Sequence, residues 1–187
     1  MKTFSVILIF VFLYGCATTQ TNQQSFSNEN LLQSIPLPNG EWTAYQKKEK
    51  NMLETMWKKE GSGDFAKTFV LYNETSNTMS YKESDDGFGR KNCDEFKSEI
   101  LKNETENGYP ALTWYSECKR IDGFYTKTIN KAIKGNDSTY VLKRVWRNKP
   151  EENDWNTWVD YYAKIIACDS RGNNHPCPEG YKKVKGN

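Results

Sequence analysis

The sequence predicts an α+β single domain: an antiparallel sheet of five or six strands packed with two helices and stapled by two disulfides. Three observations carry that expectation. Short apolar or alternating runs are separated by Gly- and Asn-containing turns, as in hairpins. Residues 155–166 repeat apolar side chains at helical spacing. Four cysteines lie beyond residue 90 in a chain that opens with an export-type leader.

Taken in order, Pro36 and Pro38, followed by Asn39-Gly40, open the folded part. Trp42 to Lys47 reads as a first strand, with Trp42 and Ala44 on one face and Thr43 and Tyr45 on the other. Residues 48–60 fit either a hairpin or a helix, because Met52, Leu53, Met56 and Trp57 suit a helix while Leu53, Thr55 and Trp57 alternate. The hairpin is preferred. Gly61-Ser62-Gly63-Asp64 is a loop, and Thr68 to Tyr72 is apolar on both faces, as an inner strand should be. Asn77 to Arg90 is polar and Gly-containing and reads as a long surface loop. Asn92 with Glu95 forms an Asn-type capping box. With Cys93, Phe96, Ile100 and Leu101 at helical spacing, it predicts a first helix from about Cys93 to Glu106, closed by Asn107-Gly108.

Leu112, Trp114 and Cys118 alternate along the next strand, and Asp122-Gly123 predicts a type I′ hairpin into a returning strand from Phe124 to Ile133. Gly135-Asn136-Asp137 turns again into Tyr140 to Trp146, which completes a three-stranded meander. Asn153 or Asp154 then caps a second helix carrying Trp155, Trp158, Val159, Tyr162, Ile165 and Ile166 on one stripe. That stripe is expected to lie across the meander and close the core.

The ends of the chain concern location. Met1-Lys2 and the apolar run Phe4 to Leu13 form the charged and hydrophobic parts of a signal peptide, too short for the about 20 residues of a membrane span. Leu13-Tyr14-Gly15-Cys16 resembles the lipobox of bacterial lipoproteins. The resemblance implies a signal peptide over 1–15, lipidation of Cys16 and, with Ala17 rather than Asp after it, attachment to the outer membrane. An ordinary signal peptide cut after Ala17 is the alternative. Residues 16–36, rich in Thr, Gln, Asn and Ser, read as a flexible tether, and 37–187 as the domain.

The chain has 26 basic and 24 acidic residues. Without the leader, whose one charge is Lys2, the excess is a single positive charge, which argues against nucleic acid as a partner. Lys182, Lys183 and Lys185 read as a solvated tail.

Setting Cys16 aside leaves Cys93, Cys118, Cys168 and Cys177, with three possible connectivities. The simplest pairs 93 with 118 and 168 with 177, local staples worth roughly 3.5 and 2.7 kcal/mol in the loop-entropy picture. Trp155-x-x-Trp158-x-x-Tyr161-Tyr162-x-x-Ile165-Ile166-x-Cys168-Asp169-Ser170-Arg171, then Pro176-Cys177-Pro178, together with Ile133 to Tyr140, resembles a family of small exported proteobacterial proteins. The resemblance covers about residues 36–178 and implies a shared architecture but no reaction.

No catalytic set stands out. Cys168, Asp169, His175 and Cys177 could form a metal or thiol site, but the chain has one His, and the C-x-x-C spacing of redox thiols is missing. A disulfide-closed loop is the expectation. Asp85-Asp86-Gly87-Phe88-Gly89-Arg90 lacks the third glycine of a dinucleotide loop and the spaced oxygens of an EF-hand. No cofactor and no metal is expected. The aromatics, 14% of the chain, offer Tyr115, Tyr125 and Tyr161 as exposed partner-binding anchors.

The sequence thus points to a non-enzymatic envelope lipoprotein, held to the membrane by its N-terminal lipid and binding a protein or cell-wall partner. The alternatives are an inhibitor or immunity-type lipoprotein and a thiol-redox enzyme using Cys168 and Cys177.

Overall fold

The computed structural model describes residues 29–33, 37–74, 76–170 and 175–179. The signal peptide, Cys16, most of the expected tether, Arg171 and the C-terminal lysines lie outside them. A short strand, β1 (Glu29–Leu32), comes first, so the tether reading does not hold over these four residues. Next come β2 (Trp42–Glu49), β3 (Met52–Lys59) and β4 (Phe65–Tyr72), an antiparallel meander that bears out the hairpin over residues 48–60.

The chain then departs from expectation. Residues read as a surface loop form α1 (Thr78–Asn92), and residues read as the first helix form β5 (Glu95–Glu106). Asn77 caps α1, its side chain accepting from the Met79 N–H, a signal masked by the glycines and acids that follow. Phe96, Ser98 and Ile100 alternate on one face of β5 before a bulge at Leu101, and Asn92 is the last residue of α1 rather than a cap. Asn107 and Gly108, expected as a helix stop, both take positive φ and make the two-residue β-hairpin turn into β6 (Tyr109–Lys119).

A five-residue loop, 120–124, leads into β7 (Tyr125–Lys134), with only Gly123 at positive φ, so the turn is longer than the expected type I′ hairpin. β8 (Ser138–Trp146) follows, then α2 (Glu152–Lys164) and β9 (Ile166–Asp169). Helix α2 is capped at Glu151. Asp154 instead accepts from the Trp146 indole N–H at 2.6 Å and the Asn39 amide at 2.5 Å.

The main sheet has seven strands, larger than expected, in the order β2-β3-β4-β8-β7-β6-β5, with every neighbour antiparallel. Strands β1 and β9 form a separate antiparallel pair. The expected architecture is otherwise present: a single α+β domain with two helices and the disulfides Cys93–Cys118 and Cys168–Cys177, Cα atoms 5.4 and 4.8 Å apart.

The two faces of the sheet differ. Against α2 lies an aromatic core in which Trp146, Trp158, Tyr161, Tyr162 and Ile165 pack on Ile129 and Leu142, with Trp42, Trp57 and Trp155 around them. Five of the six tryptophans are on this side. Arg144 is enclosed with them, its guanidinium 4.4 Å from the Trp146 ring and 2.9 Å from Asp64 Oδ2.

Buried Lys131 closes the end of α2. Its ammonium donates to the Tyr162 and Ile165 carbonyls at 2.9 and 2.7 Å and pairs with Glu106 at 2.5 Å. Three acceptors match the three N–H bonds of a charged lysine and occupy carbonyls that a continuing helix would use. This is why Ile165 and Ile166 leave the helix that their spacing predicted.

Two tests follow from the core. Glu106→Gln leaves a buried ammonium without its counter-charge and is expected to cost about 3–5 kcal/mol in urea unfolding, with Glu106→Leu/Lys131→Met recovering most of it. Burial pushes the Tyr81 and Tyr161 hydroxyls up to about 12 and raises Tyr162 as well. Above about pH 10 the unfolded chain loses phenolic protons that the folded chain keeps, so stability falls as pH rises toward 12. The urea midpoint is expected to drop between about pH 9 and pH 11.5, with tyrosinate absorbance appearing later in the folded protein than in urea.

Candidate binding groove

The face that carries α1 is built differently. The chain leaves β4 at Tyr72, in the middle of the sheet, and must reach β5 at the far edge. That is four strand spacings, roughly 19 Å. A helix of 15 residues covers roughly 22 Å, enough for that lateral distance, and α1 packs on β6, β5 and β7. It starts at the end of β4 that pairs with Ser138 and finishes beside the opposite end, where β5 begins against Lys119. The crossing is therefore diagonal. It leaves uncovered the corner where β4 begins, β8 ends and β7 begins.

That corner is a groove enclosing about 560 Å³. One wall is the outer part of α1, with Tyr81, Asp85 and Phe88. The floor is Ser116, Thr126, Thr128 and Val145, Phe96 lies against α1, and Phe65, Phe69 and Phe124 complete the lining. Lys67, Lys143, Arg120 and Arg147 also line it, four cations to the one acid, Asp85. Most of these cations have local partners. Lys143 pairs with Asp85, Lys67 with Glu54 at 2.6 Å and Arg120 with Asp122 at 2.9 Å. The Arg147 guanidinium has no carboxylate partner among the described residues, although the Arg147 backbone N–H donates to Asp64 Oδ1 at 2.9 Å. That guanidinium lies 5.6 Å from the Phe65 ring and 5.1 Å from the Phe124 ring, and Arg120 sits 5.8 Å from the same Phe124 ring.

The walls are held by local devices. Cys93 caps the C-terminus of α1, its N–H donating to the Gly89 carbonyl at 3.0 Å, and its disulfide to Cys118 pins that end to β6. Gly89 lets the Phe96 ring lie against the helix, where a Cβ would come within 2.1 Å of it. Gly63 makes room for the Arg147 stem in the same way, a Cβ there meeting Cγ at 2.9 Å. At the mouth, apolar side chains face solvent: Phe88 is 72% exposed, Ile121 90% and Phe124 38%. Beneath the helix the layer is mixed, with Leu112, Trp114, Ala132 and Val141 packing with Met79 and Tyr81 of α1. Asp86 Oδ1, both amide atoms of Asn130, Ser98 Oγ and Trp114 Nε1 are buried without a protein partner.

Of the residues weighed from sequence, Cys93, Cys118 and, from the 85–90 stretch, Asp85, Phe88 and Gly89 line the groove, and the others lie elsewhere. Tyr161 is a correction: at 9% exposure it is buried against Trp158 and Tyr162, in a cluster that Leu37 joins from outside the helix. Tyr115 and Tyr125 are half-buried on the α2 face, Tyr115 edge-on to Trp155 at 5.8 Å with Lys97 and Lys127 over its ring. None of the three reaches the groove. Cys168 and Cys177 are joined, and His175 stacks on Tyr109 at 4.3 Å with its Nδ1 3.2 Å from the Asn107 carbonyl. Among the described residues no cluster of His, Cys, Asp and Glu is placed to hold a metal ion.

Sequence reasoning missed the groove because it read its helical wall as a loop. Tyr81, Asp85 and Phe88, at i, i+4 and i+7, were the available signal, with Asn77 as the cap.

No family model matches the chain, and no curated protein does. Among solved structures, PA94 from Pseudomonas aeruginosa, a protein of unknown function, is similar at a TM-score of 0.41 and 11% identity, over 68% of this chain and 97% of that one. A likeness of this degree says nothing about what the groove binds.

Gly89→Ala is expected to drive the Phe96 ring off the helix and destabilise the protein by about 1–3 kcal/mol, as overpacking does. The check is chemical unfolding combined with accessibility of the groove to an apolar dye, and Gly87→Ala, where an added methyl meets nothing, serves as the control.

Proposed function

We propose that this protein is an exported, lipid-anchored binding protein of the bacterial envelope that holds a partner protein in the groove beside α1 and performs no chemistry of its own. The observation that carries this reading is the mouth of the groove. Phe88 and Phe124 stand exposed beside Arg147 and Arg120, with Ile121 exposed in the loop between Arg120 and Phe124, a combination of aromatic, aliphatic and arginine side chains that anchors protein interfaces.

The leader and the Leu13-Tyr14-Gly15-Cys16 motif support the anchor. Two disulfides suit an oxidising compartment and a domain that must persist outside the cytoplasm. A lipid at Cys16 and the residues that follow it would set the domain close to the membrane, with the groove open to envelope proteins.

Two measurements test the reading. Intact mass of the membrane-extracted protein should show an acylated N-terminal Cys16 and no thiol that reacts before reduction. In cells, a photo-crosslinking residue at Ile121 should give one discrete adduct that disappears with Arg147→Glu, whereas the same residue at Asp160 on α2 should give none. A non-acylated mass would remove the anchor, and adducts that ignore Arg147 would remove the groove as the binding site.

A further inference from the structure

The ligand chemistry of this groove follows from three of its features, and the inference rests on the binding role given above. The first is the arrangement of guanidinium groups. Arg147 and Arg120 approach the same ring, Phe124, at 5.1 and 5.8 Å, and Arg147 also lies over Phe65 at 5.6 Å. Rings at cation–π distance restrict where a guanidinium can go, and its forked N–H donors suit a bidentate acceptor. Asp122 engages the Arg120 guanidinium, whereas that of Arg147 pairs with no carboxylate among the described residues, only its backbone N–H donating to Asp64 Oδ1 at 2.9 Å.

The second feature is the floor. Ser116, Thr126 and Thr128 present hydroxyls between the phenyl walls. A hydroxyl covered by an acyl chain loses its hydrogen bonds to water and gains none, whereas the N–H and C=O groups of an extended polypeptide can replace them. The third is the form of the site. It is open to solvent, with Phe88 on its wall 72% exposed and Ile121 exposed in the adjoining loop, so an occupant covers apolar surface both inside the groove and at its rim. An extended chain does this because successive side chains point to opposite sides.

We propose that the groove takes an extended acidic segment of a partner protein. An Asp or Glu carboxylate of that segment sits on Arg147, with Arg120 beside it, and neighbouring apolar side chains fill the space between Phe65, Phe88 and Phe96. Gly63 is a positioning residue for this clamp, since it gives the Arg147 stem its place against the β3–β4 loop.

The test uses the mature chain with Cys16→Ser, which removes the lipid alone. Random octapeptides displayed on phage are selected on this protein, and an enriched peptide is synthesised with a fluorophore. The expected result is enrichment of sequences pairing Asp or Glu with an aromatic or large aliphatic neighbour. Binding should weaken at least about tenfold in Arg147→Glu and about threefold in Arg147→Lys, which keeps the charge but loses the fork. It should fall with added salt and stay unchanged in Lys164→Glu, a charge reversal on α2. Equal melting temperatures of the variants ensure that folding is not what is being read.

Enriched peptides without acidic residues, or binding indifferent to Arg147→Glu, would overturn the proposal. Dodecanoate is the second probe. If it binds in an Arg147-dependent manner while no peptide is enriched, the polypeptide assignment falls and the groove remains a site for an anionic amphiphile. If neither probe binds and the Ile121 crosslink is also absent, the groove is not a binding site and both readings fall.

Discussion

The β4–β8 ladder is the constraint on which the rest of this structure depends. Its eight residue pairs, from Phe65↔Val145 to Tyr72↔Ser138, join a meander made early in the chain to one made late, and without it there would be two smaller sheets. Both strands become central once they pair. This explains why Thr68 to Tyr72 and Tyr140 to Trp146 are apolar or otherwise buried on both faces. It also dictates the crossover. A chain that leaves the middle of a sheet and must begin again at its edge has to pass over one face, and α1 has the length to do so in a single helix.

From that crossing the division of labour between the faces follows. α2 returns over the other face and can be strongly amphipathic, because nothing but packing is asked of it; the aromatic core, the enclosed Arg144 and the Lys131 cap are all there. α1 buries only Thr78 and Asp86 fully, covers polar side chains such as Asn130 and Ser98, and leaves a corner of the sheet open. The groove lies against this layer.

The Cys93–Cys118 disulfide ties these observations together. It fixes the C-terminal end of a weakly packed helix to β6 and so holds the α1 wall of the groove at a set distance from its floor. In the loop-entropy picture it contributes roughly 3.5 kcal/mol, comparable to what a helix with few apolar contacts would otherwise lack. Gly89 serves the same wall from within by letting Phe96 approach the helix closely.

Much of the fold was legible because it is specified locally. The hairpins at residues 48–60 and 120–124, the inner strand at 68–72, the amphipathic stripe of α2 and both cysteine pairings could be read from alternation, turn residues and spacing. What could not be read has one physical cause. The segments 78–92 and 95–106 have mixed local preferences, since the first carries Gly87 and Gly89 and the second carries Phe96, Ile100 and Leu101 at spacings compatible with either period. Their states are decided by the partners they meet: β6 offers an edge to Glu95–Glu106, and the crossover forces Thr78–Asn92 into a compact, self-bonded form. The sequence by itself determined the α+β class, the staples and the helix that closes the core, because each is written in contacts within about thirty residues. Only the tertiary structure decided the strand order, the burial of Tyr161 and the meeting of Phe65, Phe124 and Arg147, because those depend on a ladder between residues more than sixty positions apart.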